Sequence, residues 1–169
     1  MAISTQAISR VEAEEFLYLE ARLLDDGELE RWLELFTRDG VYWIPIDDTK
    51  PTEWNSSLVW DNRLRLEERV YHLLHVPFPS QSPRSRTIHL LTNVEVEPAA
   101  DGRTLVRSNQ LIYEARRGDF RQVGLGEVRA LVARVEHLLE RGSDGPLIAL
   151  KKVLLIDRDM PQSNLTFLL

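Results

Sequence analysis

The spacing of apolar residues changes period along this chain, and that change limits the folds open to it. In the first third they recur at helical intervals. Ala13, Phe16, Leu17, Ala21 and Leu24 share one face, with Glu12, Glu15 and Arg22 elsewhere. Ser9 followed by Glu12 is a capping-box signal, and Gly27 is placed to end the helix. Leu29, Trp32, Leu33 and Phe36 repeat the pattern over a shorter second helix. Asp39-Gly40 reads as a turn. Residues 41–46 then read as a short strand that Pro45 confines to an edge or an early end. Residues 47–60 read as a polar loop carrying Trp54 and Trp60. Asp61 is placed to cap a third helix running to about Leu74, with Leu66, Val70, Leu73 and Leu74 as its apolar stripe. The prolines from Pro77 to Pro83 break it.

From Ile88 onward the period is two. Ile88, Leu90, Thr92, Val94 and Val96 alternate with His89, Leu91, Asn93 and Glu95. Asp101-Gly102, Arg117-Gly118-Asp119 and Ser143-Asp144-Gly145 are turn signals that separate further strands over residues 105–115, 127–140 and 147–156. Val128, Val132 and Val135 decide for a strand where composition alone would allow a helix. Gly124-Leu125-Gly126 reads as a bulge or bend. Helices first and hairpin-linked strands afterwards describe an α+β protein. The expected architecture is three N-terminal helices on one face of a strongly curved, mainly antiparallel sheet, with residues 1–169 as one domain.

Composition removes whole classes of function. The 169 residues are 43% hydrophobic and 28% charged, enough for a core without disulfide or metal support. The net charge of −6 argues against nucleic acid as a partner. Cysteine is absent, which excludes disulfides, thiol nucleophiles, iron–sulfur clusters and thiolate zinc sites. No signal-peptide pattern opens the chain, and no apolar run approaches the roughly 20 residues of a membrane span. The expectation is a cytoplasmic protein without membrane contact. There is no phosphate-cradling loop and no Gly-x-Ser-x-Gly elbow.

Few residues carry obvious chemistry. His72 and His75 are three apart on the third helix, with Glu68 one turn before His72. Together they have the composition of a two-histidine, one-carboxylate iron site, set against the reading of two surface imidazoles. His89 lies mid-strand, read as sharing a face with Leu91 and Asn93; it is either a general base or a core histidine satisfied by a neighbour. Asp25-Asp26 and Asp47-Asp48 are sequence neighbours that do not share a face, and read as solvated turns. Trp43, Trp54 and Trp60 gather around the 47–60 loop, either as core or as an interface anchor.

An ordered set of short motifs runs through nearly the whole chain. It begins with Glu15-Phe16-Leu17-Tyr18 and Glu20-Ala21-Arg22-Leu23-Leu24-Asp25, then Trp32, Phe36, Asp39 and Tyr42-Trp43-Ile44-Pro45. It continues with Leu66-Glu67-Glu68-Arg69-Val70, Ser85-Arg86-Thr87-Ile88-His89 and Thr92-Asn93-Val94. It closes with Lys151-Lys152-Val153 and Asn164-Leu165-Thr166-Phe167-Leu168. In this order the motifs resemble the small (beta) subunits of aromatic-ring-hydroxylating, Rieske-type dioxygenases, and among them the benzoate-type subgroup. One departure stands in the hairpin before the last strand. There the family often has an aromatic residue and an arginine, and this chain has Pro146-Leu147.

The resemblance implies a cone fold similar to nuclear transport factor 2, scytalone dehydratase and ketosteroid isomerase. It also implies a non-catalytic, structural subunit of a multicomponent dioxygenase in the breakdown of aromatic compounds. The Rieske [2Fe–2S] cluster and the mononuclear iron are then expected on an alpha subunit, in an α3β3 hexamer with beta–beta trimer contacts and no cofactor on this chain. The absence of cysteine fits independently, because a Rieske centre needs two cysteines and two histidines. The rival expectation is a stand-alone dehydratase or isomerase on the same cone, with His89 as base and Tyr18 or Tyr42 as proton donor.

Overall fold

A computed structural model of the chain describes residues 7–49, 56–77, 79–118, 124–161 and 165–169. Helix α1 spans Arg10–Asp26. Its capping box forms as the sequence predicts: Glu12 N–H donates to the Ser9 hydroxyl, and Ser9 N–H donates to the Glu12 carboxylate. Gly27 ends the helix in the left-handed region at φ 76°, its N–H donating back to Leu23 and Leu24. Helix α2 is Leu29–Glu34, and α3 is Arg63–His75. The cap of α3 is Asn62, whose side-chain oxygen accepts from Arg65 N–H. Asp61 is therefore not the cap; it ends a strand and binds the Arg69 guanidinium.

Among the described residues six strands form one sheet: β1 Phe36–Pro45, β2 Ser57–Asp61, β3 Arg86–Pro98, β4 Thr104–Ala115, β5 Val128–Arg141 and β6 Pro146–Leu155. Their order is β2-β1-β6-β5-β4-β3. β1 and β6 run parallel, and the other pairings among the described residues are antiparallel. The long connection from β1 through α3 and three hairpin-linked strands returns β6 beside β1 and makes that parallel step.

Two local readings change. Asp39-Gly40 is not a turn. It lies inside β1, where the register against β6 slips between Phe36 and Val41. A Cβ on Gly40 would lie 2.8 Å from the Ile148 carbonyl oxygen, so the strands approach too closely there for any side chain. The 47–60 segment is not wholly loop either, since Ser57–Asp61 pairs with β1. Trp54 lies outside the described residues.

Strand β3 carries a larger difference. Its buried residues are Thr87 and His89, then Val94, while Ile88 and Leu90 are 59% and 49% exposed. The register with β4 slips between Thr92 and Glu95, and Asn93 takes φ 54°. Asparagine tolerates this left-handed conformation better than most residues. The inserted residue reverses which phase of the strand faces inward, so Asn93 does not share the face of His89.

The helices bury one side of the sheet in a single apolar cluster. It includes Phe16, Leu17 and Leu24 of α1, Trp32 of α2, Leu66 and Val70 of α3, and Ile112, Val135, Ile148 and Val153 of the strands. Leu168 and Leu169 complete it from a segment with no regular structure. Gly40→Ala is expected to cost about 1–3 kcal/mol in urea unfolding, from steric crowding alone, while the exposed control Arg38→Ala shifts stability by less than about 0.5 kcal/mol.

Candidate functional site

Three charged or polar residues occupy buried phases of their elements and meet in the core. Glu20 follows Ala13, Phe16 and Leu17 along the inner stripe of α1 and is 1% exposed. His137 alternates with Val135 and Leu139 on β5, and Lys151 with Val153 and Leu155 on β6; both are fully buried. His137 and Lys151 face each other in the β5–β6 register. Lys151 Nζ donates to Glu20 Oε1 at 2.7 Å, and Trp32 Nε1 donates to the same oxygen at 3.2 Å. His137 Nε2 lies 2.9 Å from Glu20 Oε2. Burial by itself would raise the Glu20 carboxyl, but the Lys151 ammonium, His137 and their hydrogen bonds outweigh it and hold the group well below the ordinary carboxylate range. Tyr42 packs its ring edge-on against Trp32, 5.9 Å between centroids.

A second carboxylate–histidine pair sits little more than one turn further along α1, at its C-terminal end. Asp25 Oδ1 lies 2.6 Å from His89 Nδ1 and accepts from the Thr87 hydroxyl at 2.9 Å. Asp25 Oδ2 accepts from the His89 backbone N–H at 3.0 Å. Asp25 is thus not a solvated turn residue. Partial burial pushes its carboxyl up, and the His89 ring, the His89 N–H and the Thr87 hydroxyl pull it further down, for a net lowering. The backbone contact explains the arrangement. Strand β3 is the last in the sheet, so among the described residues one of its edges has no strand partner, and Asp25 occupies an N–H that would otherwise be open to another strand. The His89 side chain is 2% exposed. Its Nε2 is buried without a hydrogen-bond partner.

The remaining candidates are separated from this pair. The Tyr42 hydroxyl accepts from Leu169 N–H at 3.1 Å and faces the Leu169 carbonyl at 3.5 Å; burial raises its pKa above the ordinary tyrosine value. Tyr18 is half exposed on the outer side of α1. Glu68 and His72 both line an open groove of about 570 Å³ between α3 and Leu165, Thr166 and Phe167. His75 is not in that lining; its ring lies 4.8 Å from that of Tyr71. Among the described residues no three His, Asp or Glu side chains converge as a metal site. No helix among them is long and apolar enough to cross a membrane.

The face of the sheet opposite the helices carries an apolar surface. Ile88 pairs with Tyr113 and Leu90 with Leu111 across β3 and β4, and Ile88, Leu90 and Tyr113 are at least 38% exposed. At the far end Trp43 and Trp60 meet edge-on at 5.4 Å, with Trp60 37% exposed.

Helices on one side of a curved six-stranded mixed sheet, with the order observed here, are the cone fold of nuclear transport factor 2-like proteins. ActVI-ORFA from Streptomyces coelicolor shares that fold, with a TM-score of 0.60 at 17% identity, covering 86% of this chain and 96% of that one. The beta subunit of benzoate 1,2-dioxygenase from Burkholderia mallei matches with a TM-score of 0.72 at 26% identity, over 96% of this chain and 99% of that one. The small oxygenase component of the p-cumate 2,3-dioxygenase system of Pseudomonas putida is 35% identical over 153 residues, spanning 89% of this chain and 80% of the relative. The family model for the ring hydroxylating beta subunit matches residues 19–162. The chain belongs to the ring-hydroxylating dioxygenase beta subunit family.

Lys151→Met is expected to destabilise the fold by about 3–5 kcal/mol, because it leaves Glu20 buried without its ammonium partner. The lowered Glu20 group contributes stability that is present above its ordinary value of 4.5 and lost as pH falls below it. Urea titrations from pH 7 to pH 3 therefore show a loss of stability toward acid, and Glu20→Gln, less stable at pH 7, shows a shallower one.

Proposed function

We propose that this chain is the structural small subunit of a multicomponent aromatic ring-hydroxylating dioxygenase, and that it holds a catalytic large subunit in position. The observation that carries the reading is the enclosure of His89. The residue best suited to be a base is 2% exposed, and the carboxylate beside it also secures a strand edge, so no substrate reaches it. The large subunit is then the holder of the Rieske [2Fe–2S] cluster and the mononuclear iron, and this chain holds neither. Relatives named as small or beta subunits of oxygenases acting on p-cumate, toluate and benzoate support an aromatic substrate for the assembly. We place the protein in the cytoplasm as one domain, in an α3β3 hexamer with beta–beta trimer contacts. The exposed apolar face of β3 and β4 supplies surface for those contacts, and obligate interfaces commonly bury more than about 2,000 Å².

The dehydratase or isomerase reading is not favoured. It needs Tyr18 or Tyr42 beside an open His89, whereas Tyr42 is bonded to Leu169 and Tyr18 faces solvent. The iron-site reading needs His72, His75 and Glu68 to converge, and His75 lies away from the groove that the other two share.

Co-expression with a large subunit of an aromatic ring-hydroxylating dioxygenase is expected to give a hetero-oligomer on size exclusion, with all iron in the large subunit. His89→Ala is expected either to leave turnover unchanged or to lower assembly and turnover together. A variant that assembles fully yet loses turnover, or an isolated chain that oxidises an aromatic ring, would sink the structural assignment.

A further inference from the structure

Four Asp-Gly bonds lie in this chain: Asp26-Gly27, Asp39-Gly40, Asp101-Gly102 and Asp144-Gly145. Such a bond has a covalent chemistry of its own. The glycine amide nitrogen attacks the Cγ carbon of the protonated aspartate carboxyl. Its proton leaves with the carboxyl hydroxyl as water, and a five-membered succinimide closes. A second water opens the ring at either carbonyl. One opening restores aspartate; the other gives isoaspartate, with one more methylene in the main chain and the same mass. Glycine favours the attack because no Cβ shields its nitrogen and its backbone turns freely. The step needs a free N–H, a free carboxyl and a backbone able to rotate, so the fold decides which of the four bonds reacts.

Three of them are held. Gly27 N–H donates to the Leu24 carbonyl at 3.2 Å where α1 ends, and the Arg84 guanidinium fills the space beside its Cα. Asp39 turns its carboxylate back to the Thr37 hydroxyl at 3.1 Å, and Gly40 lies buried within β1 against the Ile148 carbonyl. Gly102 N–H donates to the Ala99 carbonyl at 3.2 Å. Asp101 accepts from Arg103 Nε at 2.8 Å and from Arg103 N–H at 3.2 Å. The Arg103 guanidinium and N–H hold the Asp101 carboxyl below its ordinary value, which depletes the protonated form that reacts.

Asp144-Gly145 is different. It stands in the hairpin between β5 and β6, and Asp144 is exposed. Among the described residues Asp144 has no cationic partner, and it accepts from the neighbouring Ser143 hydroxyl at 2.8 Å. Among those residues no hydrogen bond takes the Gly145 N–H. No atom stands within 4 Å of the place a Cβ on Gly145 would occupy, so a ring has room to close.

We propose that Asp144 is a site of spontaneous isoaspartate formation, selected by the fold from four bonds of the same chemistry. The added methylene lengthens a loop that is now closed by Gly142 N–H donating to the Gly145 carbonyl at 2.8 Å. Residues 142–147 of this hairpin line one side of an open groove of about 580 Å³, with Glu12, Phe16 and Leu19 of α1 on the other. Conversion therefore loosens the hairpin and reshapes the groove. The reaction needs no partner chain and is the same whether or not the chain serves as a small subunit.

Ageing the full chain at neutral pH in heavy-oxygen water, followed by peptide mapping, tests the proposal. Each ring opening leaves one heavy oxygen in the product. The same chain unfolded in urea is aged beside it until all four bonds there are labelled. In the folded chain Asp144 is expected to be labelled at least about tenfold more than Asp26, Asp39 or Asp101, because those three need local opening first. Arg103→Ala is expected to raise labelling at Asp101 about two- to tenfold, the effect of losing its hydrogen bonds, and to leave Asp144 unchanged. The Gly142 amide is expected to exchange faster in the aged chain than in the fresh one. An Asp144 that stays unlabelled in the folded chain, or is labelled no more than the other three, overturns the proposal. Unchanged labelling at Asp101 in Arg103→Ala overturns the selection by the fold, and unchanged Gly142 exchange overturns the loosening of the hairpin.

Discussion

The helical layer and the sheet are joined by one buried carboxylate. Glu20 accepts from Lys151 on β6 and from Trp32 on α2, and lies in hydrogen-bond contact with His137 on β5. Each group carries a large desolvation cost, and each is tolerable only because the others are in place. The cluster therefore favours one position of α1 over sliding alternatives that apolar contacts alone would nearly match. With α1 so fixed, Asp25 arrives at the open edge of β3, and Gly27 turns the chain where the Arg84 guanidinium closes the helix on the Leu24 carbonyl at 2.7 Å. The rest of the inner face fills around this frame.

Much of the fold was legible from spacing alone. The capping box at Ser9, the helix end at Gly27 and the change to alternating strands all follow local rules that tertiary contacts did not override. The exceptions have physical reasons. Asn93 inserts one residue into β3 and inverts its pattern, which no count of alternating residues reveals in advance. Gly40 looked like a turn because Asp-Gly usually is one; here the glycine answers the close approach of β6.

The buried cluster was less legible, although its signal was present. Glu20 stands on the apolar stripe of α1, His137 between Val135 and Leu139, and Lys151 two residues before Val153. A lone charged residue in a buried phase suggests an error in the phase. Three of them on three elements, with opposite charges available, suggest a common meeting point. Periodicity does not say which buried acid meets which buried base across 131 positions, and that pairing comes only from topology. Asp25 was misread for the same reason: its partner lies 64 residues away on an edge strand.

These networks also bear on why a cone fold serves as a support rather than as a catalyst in this chain. A catalytic carboxylate–histidine pair keeps its working atom open to substrate. In this chain Asp25 uses both oxygens on His89 and Thr87, Tyr42 uses its hydroxyl on Leu169, and Glu20 uses both oxygens on α2, β5 and β6. Polar groups that would line a reactive cone are spent on holding its walls together. What remains toward solvent on the sheet is mixed: Ile88, Leu90 and Tyr113 on one stretch and Trp60 on another, with the ion-paired Arg107, Glu136 and Lys152 between them. A fold that closes its interior and leaves apolar stretches among ion pairs on its outer face has the properties that a subunit interface requires and a solvent-filled active site does not.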